Sequence, residues 1–366
     1  MTTDPAWLPR GAWRLLIAPG RNAPGFDETL CRLAFLVEQQ SAPLAPPGRH
    51  RVDRLDLPHG AGAFAAVVKT YGRQSAARDR IAARAGTKAE RAFRTALHLR
   101  AAGVGTPAPV AVAERWDGPR LCESQLVTDF VPDLTNLRDE LNRLYAKAPR
   151  CAPLMDLLQC VADAVRAFHD TGLLHGDLGN QNIGLQRDPG RPDRPWRVYF
   201  LDLNRARRVE KPSPAERGAD LARLDLPSDF RRVFHAMYFH GYAPPPEFAE
   251  AEKKARAAFA RHTALRPLRH PLREARLRRA AAGLEKPLRG REIWIWDDRS
   301  AQAIPAYTAR DRRRLLPAAN VTAALRHMAK KGLAIRRDYH RLRGQSFQQP
   351  VPFAGAIGMT LDAEPA

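Results

Sequence analysis

Residues 172–185 read GLLHGDLGNQNIGL, and this stretch decides the fold. His175, Asp177, Asn180, Gln181 and Asn182 crowd together between Leu173–Leu174 on one side and Ile183 and Leu185 on the other. An apolar run broken by a dense polar cluster and then resumed predicts two short strands with a tight polar loop between them. A loop held at both ends by strands is a rigid platform for chemistry. Outward from it, VYFLDLNRAR (198–207) predicts a further strand closed by Asp202, and AFAAVVKTY (63–71) predicts a strand carrying Lys69 near its end.

Asn182 and Asp202 offer two oxygen donors from neighbouring strand ends, a set suited to a hard cation such as Mg²⁺, which usually keeps phosphate oxygens in its shell. Asp177 adds a carboxylate able to accept a proton, and Lys69 a cation for phosphate charge. Those are the parts phosphoryl transfer needs: a lysine on the α/β-phosphates, carboxylate and amide on the metal, and an aspartate orienting the attacking hydroxyl. The order H-x-D-x-x-x-x-N, then D after a strand, with a strand lysine about 100 residues earlier, is a relaxed form of the kinase signature set. His175, flanked by apolar residues, reads as a brace for the loop.

Composition bounds the rest. The 366-residue chain can bury a full core and hold two or more domains. It contains no apolar run long enough to span a membrane, and its N-terminus lacks the basic start and unbroken apolar stretch of a signal peptide. A cytoplasmic protein is expected, with peripheral contact at the inner face of the membrane. The four cysteines show no CxxC pair, which argues against a zinc site or a disulfide framework. Sixty Lys and Arg against 39 Asp and Glu give a net charge of +21, and only nine of the sixty are Lys. That balance favours anionic partners: phosphorylated glycans, nucleotides or acidic headgroups.

Along the chain, residues 1–48 read as an N-terminal extension ending in the linker-like SAPLAPPGRH (41–50). Residues 49–131 read as a β-rich piece with one helix, KAERAFRTALHLRAAG (88–103), closed by Gly103. Residues 132–250 turn helical around the polar loop. Residues 251–366 hold a basic stretch, 253–291, with thirteen Lys and Arg against two acids, then a strand-like REIWIWDD (291–298), a helix-like run near 317–332 and an apolar run near 351–361. The plan is α+β and two-lobed. No aromatic residues interleave the arginines of the basic stretch beyond Phe259, so nucleic acid is not the expected partner; anionic lipid or a phosphorylated acceptor is.

LLHGDLGNQNIGL, VYFLDLNRAR and DLARLDLPSDF (220–230), together with KAERAFRTALHLRAAGVGTPAPVAVAE (88–114), resemble the lipopolysaccharide kinase (Kdo/WaaP) family of the protein-kinase-like fold over about residues 50–245. The resemblance implies a small β-rich N-lobe, a larger helical C-lobe and ATP-dependent phosphorylation of a sugar hydroxyl of the lipopolysaccharide inner core. It implies that Asp177 orients the hydroxyl, that Asn182 and Asp202 hold Mg²⁺, and that Lys69 meets the α/β-phosphates. Thr128, Asp129, Phe130 and Val131 would form the hinge against adenine, and the turn from Gly60 through Gly62 to Phe64 would cover the phosphates. The alternatives are an aminoglycoside- or choline-type small-molecule kinase, or a catalytically weak scaffold.

The sequence departs from protein kinases at four points. Gly176 replaces the arginine before the catalytic aspartate, so no phosphorylated activation loop is expected to be read. Gly179 replaces the lysine two residues after it. Asp202-Leu203-Asn204 replaces D-F-G, with Asn204 expected to take the left-handed turn position. The helix position expected to pair with Lys69 holds Ala92; the nearest acid, Glu90, lies about 200° away round the helix.

Overall fold

The computed structural model describes residues 5–44, 50–72, 75–146, 151–191, 194–226 and 228–269, with two short strands at 295–297 and 302–304. The chain is mixed α+β and forms two compact units. The first comprises Met1–Thr135, Ala164–Asp188 and Trp196–Ser213, the second Asn136–Asp163, Pro189–Pro195 and Pro214–Ala366.

The first unit is built on a seven-stranded antiparallel sheet: β1 (Leu8–Arg10), β2 (Trp13–Ile17), β3 (Ala42–Pro43), β4 (His50–His59), β5 (Gly62–Tyr71), β6 (Pro109–Asp117) and β7 (Arg120–Asp129). Their order across the sheet is β1-β2-β6-β7-β5-β4-β3. The pattern of β4 shows why it is a strand: Asp53, Leu55 and Leu57 are buried and alternate with exposed neighbours. One sheet face, including Leu15, Ile17, Leu55, Ala66, Val68, Ala113 and Val127, packs against Phe26, Leu30, Leu33 and Val37 of helices α1 (Phe26–Cys31) and α2 (Leu33–Gln40).

The N-terminal segment is therefore part of the sheet, and the boundary expected at residue 48 does not set it apart. β2 pairs with β6 from Trp13↔Arg115 to Ile17↔Ala111. The linker-like stretch itself contains β3, at the sheet edge, where the missing N–H of Pro43 faces no further strand.

Helices α3 (Ala76–Ala85) and α4 (Lys88–Ala101) follow β5. Thr87 caps α4 by accepting from the Glu90 N–H at 3.0 Å, the first half of a T-x-x-E capping box. Ala89, Ala92, Phe93, Ala96 and Leu99 form its buried stripe, and Gly103 takes the left-handed conformation just beyond the cap, as expected. After β8 (Thr135–Asn136), α5 (Leu137–Ala146) and α6 (Cys151–Asp170), the polar loop arrives between two small antiparallel pairs. β9 (Leu173–Leu174) pairs with β12 (Arg207–Arg208), and β10 (Ile183–Arg187) with β11 (Trp196–Phe200).

The second unit is helical, with α7 (Pro214–Leu221), α8 (Ser228–Tyr238) and α9 (Pro246–Arg269). Gly218 of α7 has no room for a side chain because the Phe248 carbonyl of α9 sits where a Cβ would. α9 covers the first part of the basic stretch. The strand expected at REIWIWDD is β13 (Ile295–Asp297), paired with β14 (Gln302–Ile304). The helix expected near 317–332, the apolar run near 351–361 and the rest of the basic stretch lie outside the described residues. Among the described residues, no helix is long and apolar enough to cross a membrane.

Candidate active site

All the residues singled out for phosphoryl chemistry belong to the first unit. β5 turns Ala66 and Val68 into the core, which by the two-residue period sends Lys69 and Tyr71 to the opposite sheet face. There the Lys69 Nζ lies 2.5 Å from Asp202 Oδ1 and 5.3 Å from the centre of the Tyr71 ring. Burial pushes the Tyr71 phenol far above its usual value, and the Asp202 charge adds to the shift, so Tyr71 stays neutral beside the ion pair.

Asp202 itself takes the left-handed conformation, with φ 56° and ψ 50°. The turn expected at Asn204 thus sits two residues earlier, on another residue type that tolerates positive φ. Asn204 is buried and donates its amide to Asp202 Oδ1, giving that oxygen a second partner besides Lys69.

The loop after β9 is tied by short bonds. Gly179 N–H donates to the Asp177 carbonyl at 2.7 Å, and the Asn182 side-chain amide donates to the same carbonyl at 2.8 Å. That use of the Asn182 nitrogen leaves its amide oxygen as the donor toward a cation. Leu201 N–H donates to the Asn182 carbonyl at 2.9 Å, joining the residue before Asp202 to the residue expected to share its metal. His175 is fully buried, donates from Nε2 to the Leu201 carbonyl at 3.0 Å and packs beside Phe168 and Phe200. It braces the loop, as its apolar neighbours imply. The Asp177 carboxylate receives Arg205 at Oδ2, 2.9 Å away.

The hinge segment also lies close to Lys69 along the sheet. Thr128 pairs with Val67, and Lys69 with Leu126. Asp129 N–H donates to the Ala108 carbonyl, Phe130 N–H to the Ala65 carbonyl, and Val131 follows at a partly buried position. Asp129 is ion-paired with Arg21, and the Arg54 guanidinium stands 4.5 Å over the Phe130 ring.

Two groups of expected residues are not brought to this cluster. Glu90 accepts from Trp7 Nε1 at 3.3 Å and from Arg94 Nε at 3.1 Å, so it does not serve Lys69; the carboxylate partner of Lys69 is Asp202. Gly60 and Gly62 form the turn between β4 and β5 at the far end of β5 from Lys69. Seven residues of strand separate Gly62 from Lys69, roughly 23 Å at the usual rise. The connection at the Lys69 end is the one between β3 and β4, where His50 pairs with Tyr71; its residues 45–49 are outside the described ones.

Two contributors escaped the sequence reading, Tyr71 and Arg205, and Asn204 was read only as a turn residue, not as a hydrogen-bond partner of Asp202. Of the two, only Arg205 had a visible signal, as the first basic residue of DLNRAR, three positions after a candidate metal ligand.

Residues 60–235 match the model of the lipopolysaccharide kinase (Kdo/WaaP) family. Comparison with curated proteins returned no match. Among solved structures, the chain is similar to WaaP in complex with acyl carrier protein, at 21% identity and TM-score 0.47 over 67% of this chain and 98% of that one. It is also similar to the Mycobacterium tuberculosis PknI kinase domain, at 16% identity and TM-score 0.36 over 59% of this chain and 92% of the other. Over residues 60–235 the chain is similar to the lipopolysaccharide kinase (Kdo/WaaP) family, a family of kinases.

Proposed function

We propose that the chain transfers the γ-phosphoryl group of ATP to a sugar hydroxyl of the lipopolysaccharide inner core or a related glycan. The observation that carries this reading is the joining of Lys69 to Asp202 at 2.5 Å beside a loop that holds Asp177 and Asn182 by short backbone bonds. In it, Asp177 orients the acceptor hydroxyl and takes its proton late in transfer. The hydroxyl oxygen bonds to the γ-phosphorus as the bond to the β–γ bridging oxygen breaks and ADP leaves. Lys69 turns from Asp202 to the α/β-phosphates. A general base of this kind is worth roughly 10²–10⁴-fold in rate.

The donor set fits Mg²⁺: one carboxylate from Asp202 and one amide oxygen from Asn182, with phosphate oxygens left to complete the shell. When bound, the ion would neutralise triphosphate charge. Thr128 to Val131 would meet adenine. The absence of a glutamate at position 92 favoured the scaffold alternative, and Asp202 supplies Lys69 with a carboxylate in its place. The net charge of +21 supports an anionic acceptor, and the basic stretch that begins on α9 supports docking at an anionic membrane surface on the cytoplasmic side. A cationic small-molecule acceptor fits this charge poorly.

Calorimetry of ATP with and without Mg²⁺ tests the nucleotide part. The wild type is expected to bind in a Mg²⁺-dependent manner, and Asp202→Ala to lose that dependence. Equal binding by both proteins with and without the ion would remove the metal site from the account.

A further inference from the structure

Serine/threonine kinases commonly carry a lysine two residues after the catalytic aspartate; here that position is Gly179. The structure delivers a cation to the same carboxylate from another segment. Arg205 Nη1 lies 2.9 Å from Asp177 Oδ2, and its side chain is 60% exposed against 19% for Asp177. The approach depends on Gly176. That residue has φ +70°, and a Cβ there would stand 2.8 Å from the Arg205 carbonyl oxygen and 3.4 Å from Arg205 Cβ. A side chain at the position of the usual arginine is thus incompatible with Arg205 running against the loop. The two glycines and the arginine form one arrangement: the cation is absent from the loop and present beside it.

We propose that Arg205 is the cation that stabilises the γ-phosphoryl group during transfer, in place of the lysine missing at position 179. This rests on the kinase reading above. A guanidinium has five N–H donors, and one bond to Asp177 leaves others for phosphoryl oxygens. As the β–γ bridging bond breaks and the bond from the acceptor hydroxyl forms, negative charge spread over the equatorial oxygens meets Arg205 on the Asp177 side. Lys69 neutralises the α/β side. The hydroxyl proton goes to the Asp177 carboxylate, which stays paired with Arg205 through Oδ2. The segment 204–208 therefore carries a catalytic residue as well as a strand.

The test is a double-mutant cycle in phosphate transfer from Mg·ATP to lipopolysaccharide core oligosaccharide, with Mg·ATP binding measured in parallel. Arg205→Ala is expected to lower kcat about 100-fold or more, the scale of removing one transition-state donor, with ATP affinity within a few-fold of wild type. Arg205→Lys is expected to recover part of the rate, because the charge remains. In an Asp177→Asn background, Arg205→Ala is expected to lower the residual rate further. No further loss in that background would overturn the proposal, since Arg205 would then act only by holding Asp177; so would an unchanged rate in Arg205→Ala. A wild type that binds Mg·ATP but transfers nothing to the oligosaccharide or to water would overturn the kinase reading and this inference with it.

Discussion

Gly176 occupies a left-handed conformation hard against the Arg205 backbone, and at this scale one missing Cβ decides whether the loop and the DLNRAR segment can meet. Gly176→Ala combines the cost of positive φ, about 1–2 kcal/mol, with a displaced carbonyl contact. It is expected to lower the melting temperature and to reduce turnover more than ATP affinity, because Asp177 is the next residue; thermal denaturation and parallel kinetics check this. The site residues legible in the sequence were those whose meaning lies in local spacing. Asp177 and Asn182 stand five apart in one loop, and Asp202 closes one strand as Lys69 nears the end of another. The partner of Lys69 was not legible, since it is 133 positions away and fixed by how the β5 strand faces the turn after β11.

Helix α4 and the N-terminal strands show what pattern reading loses between elements. The helix itself was plain from its stripe and its Gly103 terminus. Its start, however, is fastened by residues distant in the chain on both sides of it. Glu114 of β6 is fully buried and accepts from Thr87 at the cap of α4, from Arg14 Nε at 2.8 Å and from Trp116 Nε1 at 3.0 Å. Arg14 also stacks on Trp7 and Trp116, at 4.4 and 4.6 Å from their ring centres. Arg14→Met would keep the stem packing but leave a buried carboxylate short of its cation, and is expected to destabilise the protein by about 1–3 kcal/mol in denaturant titration. No periodicity in residues 7–17 announces this role. The placement of Gly60–Gly62 over the phosphates failed for a related reason. Small residues in a turn say that backbone can approach something, while strand register decides what lies there.

For the whole molecule, the α+β plan was legible because β-rich and helical stretches follow one another in the chain. The boundary at residue 48 was not, because β1 and β2 join the sheet beside β6, a strand some 100 residues later in the order of pairing. The second unit carries its own pH sensitivity. Glu252 of α9 is buried, which alone would raise its pKa, but the hydrogen bond and charge of His235 and the charges of Arg256 and Arg231 hold it below the ordinary 4.5. Because the folded state binds the proton less readily than the unfolded chain, its contribution is complete above about pH 4.5 and is lost as pH falls through the lowered folded value. Unfolding free energy should therefore fall below that pH less steeply in Glu252→Gln than in wild type, as read from denaturation curves between pH 3 and 6. Identical slopes would mean that this carboxylate does not titrate with folding.

The account rests on Asp177 acting on an acceptor hydroxyl, and the most direct measurement follows label from γ-³²P-ATP into lipopolysaccharide core oligosaccharide for the wild type and Asp177→Asn. The expected result is Mg²⁺-dependent label in the sugar with wild type, and a rate lowered about 10²–10⁴-fold in the variant at nearly unchanged ATP affinity. Equal labelling by both proteins would contradict the account.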